Sequence, residues 1–400
     1  MTSATDHATR HRAGFWAVAY AFVVVMAFSA IPTPLYVLYQ ARDGFSSLTV
    51  TLIFAVYALG VVASLFLVGH LSDRDGRRRW MIPAILLTIL SAVVFLTWSS
   101  LTGLLVGRFL NGLGVGAMTA TATAWIAELH ATARPGESPR RAQTVATASN
   151  LGGIGLGPLV GGVLAQWVSG PLVTPYAVML VALVVALVAV ALTPETRQAV
   201  RPAPAYRPQT IAVPHSGRGV FVASAMGAFV AFALMGLFNS LAPAFVSGTL
   251  GHTSRALAGF AAFVVFAAAA GAQVASGSRS PDDVTRSGMV GMVAGPALLI
   301  ASVWLPSLPL FLIGGAVSGA GAGLMFKGSL GAVAAIAPPA QRAEALAGVF
   351  LAGYIGLTVP VIGLGLLTQE LAANASLTVF AVLLMVGVAA TAAQRAGAAR

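Results

Sequence analysis

Twelve long apolar runs divide this 400-residue chain and limit the folds that it can adopt. A helix that crosses the hydrocarbon core of a bilayer needs about 20 consecutive apolar residues, and the runs are close to that length. They cover residues 15–38, 47–68, 80–97, 101–127, 142–166, 172–192, 219–246, 256–275, 288–304, 308–335, 343–367 and 376–392. The sequence therefore predicts an all-α membrane protein with 12 transmembrane helices.

Composition supports a membrane protein and excludes several other classes. Hydrophobic residues make up 58% of the chain and charged residues only 8%, whereas soluble domains carry about 25% charged residues. The net charge of +11 is spread over loops rather than held in a basic domain, so nucleic acid is not an expected partner. The chain has no cysteine, which excludes disulfides and thiolate chemistry. The first apolar run is too long for a cleaved signal peptide.

The distribution of basic residues predicts the orientation of the chain. With the N-terminus in the cytoplasm, eighteen of the 22 lysines and arginines fall in cytoplasmic segments and two in outer segments. Short cytoplasmic loops are enriched in such residues. We therefore expect a multi-pass protein of the cytoplasmic (plasma) membrane with both termini in the cytoplasm.

The chain also shows an internal repeat on either side of a polar linker. Residues 194–218 contain five prolines and four arginines, which is typical of an extended, solvated segment. Residues 141–162 resemble residues 342–363, and the glycines of 112–116 match those of 319–323. We predict an N-terminal six-helix bundle (1–193), a cytoplasmic linker (194–218) and a C-terminal six-helix bundle (219–400). Parallel six-helix repeats are typical of one transporter class.

The loop between the second and third runs, residues 69–79, is short and dense in charge. Its Gly-x-x-Ser-Asp-Arg-x-Gly-Arg-Arg pattern resembles the loop 2–3 signature of the major facilitator superfamily. The resemblance implies two six-helix pseudo-repeat bundles and a gating latch that stabilises the outward-open state, formed by Gly69, Asp73, Arg74, Gly76, Arg77 and Arg78. The alternative is a solvated turn that obeys the charge bias. The second-half counterpart keeps only Asp282 and Asp283, which predicts a one-sided latch.

Two charged residues of the fourth run are candidates for proton coupling. Arg108 lies in a pattern that resembles a family motif whose arginine is linked to proton transfer; alternatively, it snorkels to the outer headgroups. Glu128 ends the run at the inner face, where it either pairs with the loop arginines or carries a proton through a change in its pKa. Many drug:proton antiporters have an acid in the first run, but this chain has Ser29, Pro32, Thr33 and Pro34 there.

The fifth run contains a glycine-rich pattern that resembles the antiporter motif of the same family. Its residues are Gly153, Gly157, Pro158, Gly161 and Gly162. Glycines at a spacing of four allow two helices to approach closely, and a proline bends the helix. Plain helix packing is the alternative, whereas the antiporter interpretation favours export over import.

Six further residues are candidates for lining a substrate cavity, namely Tyr36, Tyr57, Asn111, Asn239, Lys327 and Tyr354. For each of them, packing or hydrogen bonding between helices is the alternative. Lys327, the only lysine, either contacts a polar or anionic substrate or snorkels to the inner interface. The histidines and acids form no cluster at membrane depth, so we expect no catalytic residue, no metal site and no cofactor beyond a proton gradient.

These features together predict a secondary active transporter of the drug and metabolite efflux branch. It would export a small, largely apolar organic compound by alternating access, with proton antiport. We expect a monomer whose partners are its substrate and membrane lipid. An uncoupled facilitator or importer of a small organic solute remains an alternative because of the missing acid in the first run. A membrane-embedded enzyme or sensor is a more remote alternative.

Overall fold

The computed structural model describes residues 2–68, 71–197, 206–214 and 217–398, with side chains from Ala8 onward. Within these ranges the chain is helical and contains no strand. Twelve helical segments of the described chain are long and apolar enough to cross a membrane. The predicted all-α membrane class and the predicted number of spans are confirmed.

Nine helices make up the first half of the described chain. They are α1 (Thr2–Ala30), α2 (Tyr36–Asp43), α3 (Ser47–Leu67), α4 (Leu71–Asp75), α5 (Arg77–Thr97), α6 (Leu101–Ala133), α7 (Arg140–Thr147), α8 (Gly153–Trp167) and α9 (Thr174–Ala191). A 3₁₀ turn at Thr33–Leu35 links α1 to α2, and a π-helical turn at Ala148–Gly152 links α7 to α8. Each of these links keeps a single membrane span continuous.

Seven helices make up the second half of the described chain. They are α10 (Arg218–Ser240), α11 (Ala242–Ala244), α12 (Arg255–Ala275), α13 (Pro281–Trp304), α14 (Leu308–Ile336), α15 (Arg342–Glu370) and α16 (Ala373–Ala398). Several helices extend past the predicted apolar runs; α6, for example, continues to Ala133 rather than ending at 127. Hydropathy locates only the part of a helix that lies in lipid, whereas the backbone hydrogen bonds of a helix continue beyond it.

The chain divides into two compact units. The first comprises Met1–Ile31, Val56–Gly157 and Ser169–Gln209, and in it α6 packs on α1 and α5 while α9 packs on the same two helices. The second comprises Pro32–Ala55, Pro158–Val168 and Thr210–Arg400, and in it α14 packs on α12 and α13 while α10 packs on α15 and α16. Residues 32–55 and 158–168 thus belong to the second unit, and the division at the linker stays a prediction.

The matching glycine rows of α6 and α14 make matching helix contacts. A Cβ atom added to Gly112 would lie 2.1 Å from the carbonyl oxygen of Tyr57 on α3. A Cβ atom added to Gly319 would lie 2.3 Å from the carbonyl oxygen of Val265 on α12. Both rows therefore bring two backbones together at a distance that only glycine allows.

Candidate functional site

The charged segment after α3 is organised around Arg77, the first residue of α5. Its side chain is only 3% exposed. Atom Nη2 lies 2.8 Å from Oε1 of Glu128 and 2.6 Å from Oδ1 of Asp73, and Nη1 donates to Oγ of Ser72 at 2.9 Å. A buried guanidinium is stable only when acceptors surround it, and three side chains supply them here.

Both carboxylate oxygens of Glu128, on α6, contact basic or hydroxyl groups. Nε of Arg77 lies 3.3 Å from Oε2, so the Arg77 fork contacts both oxygens. The hydroxyl of Thr196 donates to Oε2 at 2.6 Å, and Nε of Arg197 lies 3.3 Å from Oε1. The structure thus places Glu128 as an ion-pair partner of a loop arginine, and its role as a proton carrier remains a prediction.

A carboxylate that sequence analysis missed caps the beginning of α5. Oε1 of Glu195 accepts from the backbone N–H of Arg77 at 3.0 Å, and Oε2 accepts from the N–H of Arg78 at 2.9 Å. The first N–H groups of a helix have no partner within the helix, and the positive end of its dipole favours a negative charge. Glu195 therefore stabilises the helix that carries Arg77.

Gly76 makes this remote cap possible. Its φ angle of 105° lies in a region that favours glycine, and a Cβ atom there would lie 3.0 Å from Oε2 of Glu195. Sequence analysis assigned Glu195 and Arg197 to the linker because composition cannot show which distant loop they contact. The Pro-Glu-Thr-Arg segment begins two residues after the sixth apolar run, which puts it near the predicted inner end of that span but does not show which residues it contacts.

Of the remaining residues of the predicted latch, Arg74 is half-buried and Arg78 is exposed. Nε of Arg74 is 2.7 Å from Oδ1 of Asp75, and Nε1 of Trp80 donates to Oδ2 of the same carboxylate at 3.2 Å. The hydrogen bond from Arg74 is the main reason why the pKa of the Asp75 carboxyl lies below its usual value. Arg78 donates to the carbonyl of Ala191 at 3.3 Å. Gly69 lies outside the described residues, and the gating role stays a prediction.

Arg108 of α6 faces the protein interior. Its side chain is 1% exposed, which is incompatible with a side chain that snorkels to the headgroups. Nη1 donates to the carbonyl of Ser29 at 2.5 Å, and Cζ lies 5.6 Å from the ring centroid of Tyr57. Ser29 is in the last turn of α1, where helix carbonyls lack partners within the helix, and Pro32 follows it. Arg108 thus caps the end of α1.

The first glycines of the fifth-run motif bring α8 against α1. A Cβ atom on Gly153 would lie 2.7 Å from Cβ of Met26, and one on Gly157 would lie 2.1 Å from the carbonyl oxygen of Ala27. Such distances do not occur for real Cβ atoms, so both positions require glycine as long as the helices stay in place.

The rest of the motif faces α12 within the second unit. A Cβ atom on Gly162 would lie 2.4 Å from the carbonyl oxygen of Arg255, and one on Gly259 would lie 2.1 Å from that of Pro158. Gly161 is also buried. The motif therefore forms close helix contacts at Gly153, Gly157, Pro158 and Gly162, and its antiporter role stays a prediction.

Lys327 of α14 reaches the end of a neighbouring helix. Its Nζ donates to the carbonyl of Gln273 at 2.8 Å, to Oγ of Ser276 at 2.7 Å and to the carbonyl of Gly277 at 3.1 Å. These acceptors lie in the last turn of α12 and directly after it, where a positive charge complements the helix dipole. In this structure Lys327 is a helix cap.

The other cavity candidates are mostly buried. Tyr36, Tyr57 and Asn239 are less than 9% exposed, and the backbone carbonyl of Asn239 accepts from the hydroxyl of Thr33 at 2.9 Å. The Tyr354 ring packs 5.5 Å from that of Phe232. Asn111 is fully buried.

Asn111 differs from the other candidates in its hydrogen bonding. Among the described residues, neither of its amide atoms has a hydrogen-bond partner. The cavity roles stay predictions. No group of three or more His, Cys, Asp or Glu side chains that could hold a metal occurs in the part of the chain that the structure describes.

Comparison with known protein families shows which family the chain belongs to. The family model of the Major Facilitator Superfamily matches residues 17–283. The chain therefore belongs to the Major Facilitator Superfamily, which is a family of transporters and not of enzymes.

Solved structures share the fold over almost the whole chain. The human organic anion transporter MFSD10 (TETRAN) has a TM-score of 0.69 and 16% identity, with 95% of this chain and 99% of that chain covered. A bacterial homologue of the human lysosomal transporter Spinster, in an inward-facing and unoccupied conformation, has a TM-score of 0.76 and 16% identity, with 97% of each chain covered. Identities this low show the fold alone.

A shorter match links the sequence to a multidrug resistance protein. Over 63 residues the chain is 40% identical to the multidrug resistance protein MdtL of Escherichia coli O139:H28 (strain E24377A / ETEC). The match spans 16% of this chain and 16% of that relative.

Proposed function

We propose that the protein is a secondary active exporter of a small, largely apolar organic compound, working by alternating access with proton antiport. The observation that carries the proposal is the close packing of Gly153 and Gly157 against α1, because these glycines belong to the motif that resembles the family's antiporter signature. The name of the partial relative, a multidrug resistance protein, supports the same direction of transport.

The charged network supports a cycle of two states. Arg77, Glu128 and Asp73 form hydrogen-bonded ion pairs that need a specific backbone arrangement, so we propose that they break and re-form during the cycle. Arg108 and Glu128 are the proposed proton-coupling residues. The proposed substrate cavity includes the six residues named from the sequence. The charge bias supports a protein of the cytoplasmic membrane with both termini inside. We propose that it works as a monomer.

An uncoupled facilitator or importer is the second candidate function. Its supporting observation is that the acids of the chain all lie in loops, tails or near span ends, with Glu128 the one best placed to serve as a relay. In addition, that carboxylate is already occupied by Arg77, Thr196 and Arg197. A proton carrier must give up such partners at some point in the cycle.

Proton release from inverted membrane vesicles tests both candidates. Respiration acidifies the vesicle lumen and quenches a pH-sensitive dye, after which lipophilic cations, antibiotics and sugars are added in turn. Proton antiport predicts recovery of dye fluorescence with at least one compound, and Glu128→Gln should abolish it. Glu137→Gln is the matched control, because Glu137 forms an exposed pair with Arg134 just after α6.

The remaining outcomes separate the alternatives. If dye fluorescence still recovers in the Glu128→Gln variant, proton antiport remains the function and another residue carries the proton. Movement of a labelled compound without any dye recovery would overturn antiport in favour of the uncoupled transporter.

A further inference from the structure

A large apolar groove lies between α10, α15 and α16, apart from the charged network. Its volume is about 1020 Å³, at the upper end of the range for pockets that hold drug-sized ligands. Phe229 of α10, Val359 of α15 and Leu383 of α16 are among the residues that line it. All three helices belong to the second compact unit.

The groove is long enough to hold an extended alkyl chain. On α15 its lining runs from Ala352 to Glu370, which is about 27 Å of helix. At its middle, Gly363 has no atom within 4 Å of the position that its Cβ would occupy. The glycine therefore leaves the groove open rather than allowing a neighbouring helix to fill it.

The groove opens on the lateral surface of its unit. Val359 and Leu383 are 58% and 61% exposed although they lie on membrane-spanning helices. Gly365, on another side of α15, instead packs close to the hydroxyl of Thr51 on α3. Exposed apolar side chains on membrane-spanning helices contact lipid. Lipid acyl chains are therefore present at the groove at very high local concentration.

The charge at one end of the groove selects the head group of its occupant. Glu370 is the only charged residue of the lining, and it forms no ion pair or side-chain hydrogen bond with the described residues. It is also the last residue of α15, so the partial negative charge of the helix end adds to that of the carboxylate. A positively charged donor is favoured at this position, and an anionic head group is repelled.

We infer that the groove binds a membrane phospholipid whose head group carries a primary ammonium, with one acyl chain between α10, α15 and α16 and the ammonium on Glu370. A primary ammonium donates hydrogen bonds to a carboxylate, which a fully methylated one cannot do. In the orientation proposed above, the lipid belongs to the outer leaflet. The inference does not depend on the direction or coupling of transport.

Lipid retention by the purified full-length protein tests the inference. The protein is reconstituted in vesicles with equal amounts of phosphatidylethanolamine, phosphatidylcholine and phosphatidylglycerol, extracted, and examined by native mass spectrometry. We expect wild type to retain phosphatidylethanolamine over phosphatidylglycerol by about tenfold. Glu370→Gln should remove this preference, and Glu370→Asp should keep it.

The shape of the groove is tested separately from its charge. Gly363→Leu fills the open space and should lower retention of all three lipids. Val386→Leu is the control, because Val386 is 58% exposed on α16 but does not line the groove. The inference is overturned if wild type shows no preference or if Glu370→Gln keeps it. It is also overturned if an added alkyltrimethylammonium displaces the bound lipid at equimolar concentration, since the site would then favour a free amphiphilic cation.

Discussion

The third and ninth membrane helices, α5 and α13, correspond in the internal repeat but begin in different ways. α5 follows Gly76, which has no side chain to cap it, and Glu195, 118 residues away from Arg77, accepts its first N–H groups. α13 follows Ser280, whose Oγ accepts from the N–H of Asp283 at 3.1 Å. A local cap stabilises only its own helix, whereas the remote cap also ties the segment after α9 to α5.

The arginines near the beginnings of α5 and α13 also differ in their burial and in the number of their partners. Arg77 is buried and contacts two carboxylates and a hydroxyl. In the second half, Arg395 is 18% exposed and, among the described residues, pairs only with Asp282, whose side chain is 71% exposed. Exposed ion pairs contribute little to stability, whereas loss of one partner from a buried pair is costly. One half therefore has a network around a fully buried arginine, whereas the described part of the other has a single pair with a half-buried arginine.

Replacing Arg77 is the strongest test of this contrast. Arg77→Ala leaves Glu128 and Asp73 without their main partner and should destabilise the protein by about 3 kcal/mol. Thermal unfolding in detergent, followed by tryptophan fluorescence, measures the loss. Arg395→Ala is the matched control and should change the stability by about 0.5 kcal/mol or less. Equal losses in the two variants would show that burial does not distinguish the two arginines.

The sequence alone predicts those features of α5 and α13 that depend on patterns of neighbouring residues. The membrane helices follow from apolar length, and Arg77 follows from its motif. Glu195 could not be predicted, because its contact joins residues 118 positions apart and nothing in the linker composition marks it. The acceptor of Arg108 could not be predicted either, since it is a backbone carbonyl, that of Ser29, at a helix end.

Helix geometry explains a further difference between the repeat and the structure. The repeat aligns Gly152 with Gly353. In the structure, a Cβ on Gly353 would lie 3.3 Å from the ring of Phe232, whereas no atom is within 4 Å of the same position on Gly152. The π-helical turn at Ala148–Gly152 adds a residue to one turn and rotates the positions that follow. An alignment of residue types does not detect such a turn.

The two caps provide a second, smaller test. Glu195→Ala and Ser280→Ala should each destabilise the protein by about 1 kcal/mol, because each removes a helix N-cap. Hydrogen exchange separates them. Glu195→Ala should raise exchange both at the beginning of α5 and at residues 196–197, whose N–H groups also donate to Glu195, whereas Ser280→Ala should raise it only at the beginning of α13. Exchange confined to α5 in Glu195→Ala would contradict the proposed tie between the two segments.

The pair Arg74–Asp75 allows the smallest test, because it lies beside Arg77 but is only half-buried, with side chains 23% and 13% exposed. The folded-state pKa of Asp75 is lowered, mainly by the hydrogen bond from Arg74. Its contribution should therefore be present above the unfolded pKa of about 3.9 and be lost as the pH falls through the lower folded value. Unfolding midpoints of wild type and Asp75→Asn should differ slightly at neutral pH and converge below about pH 4. A difference that persists in acid would contradict this charge-based explanation, because the amide oxygen of Asn can still accept from Nε1 of Trp80. The two unfolding midpoints are then compared with the effect of Arg77→Ala. If the midpoints converge in acid and Arg77→Ala is strongly destabilising, burial determines which of these arginines stabilises the fold, and the number of charges in the segment does not.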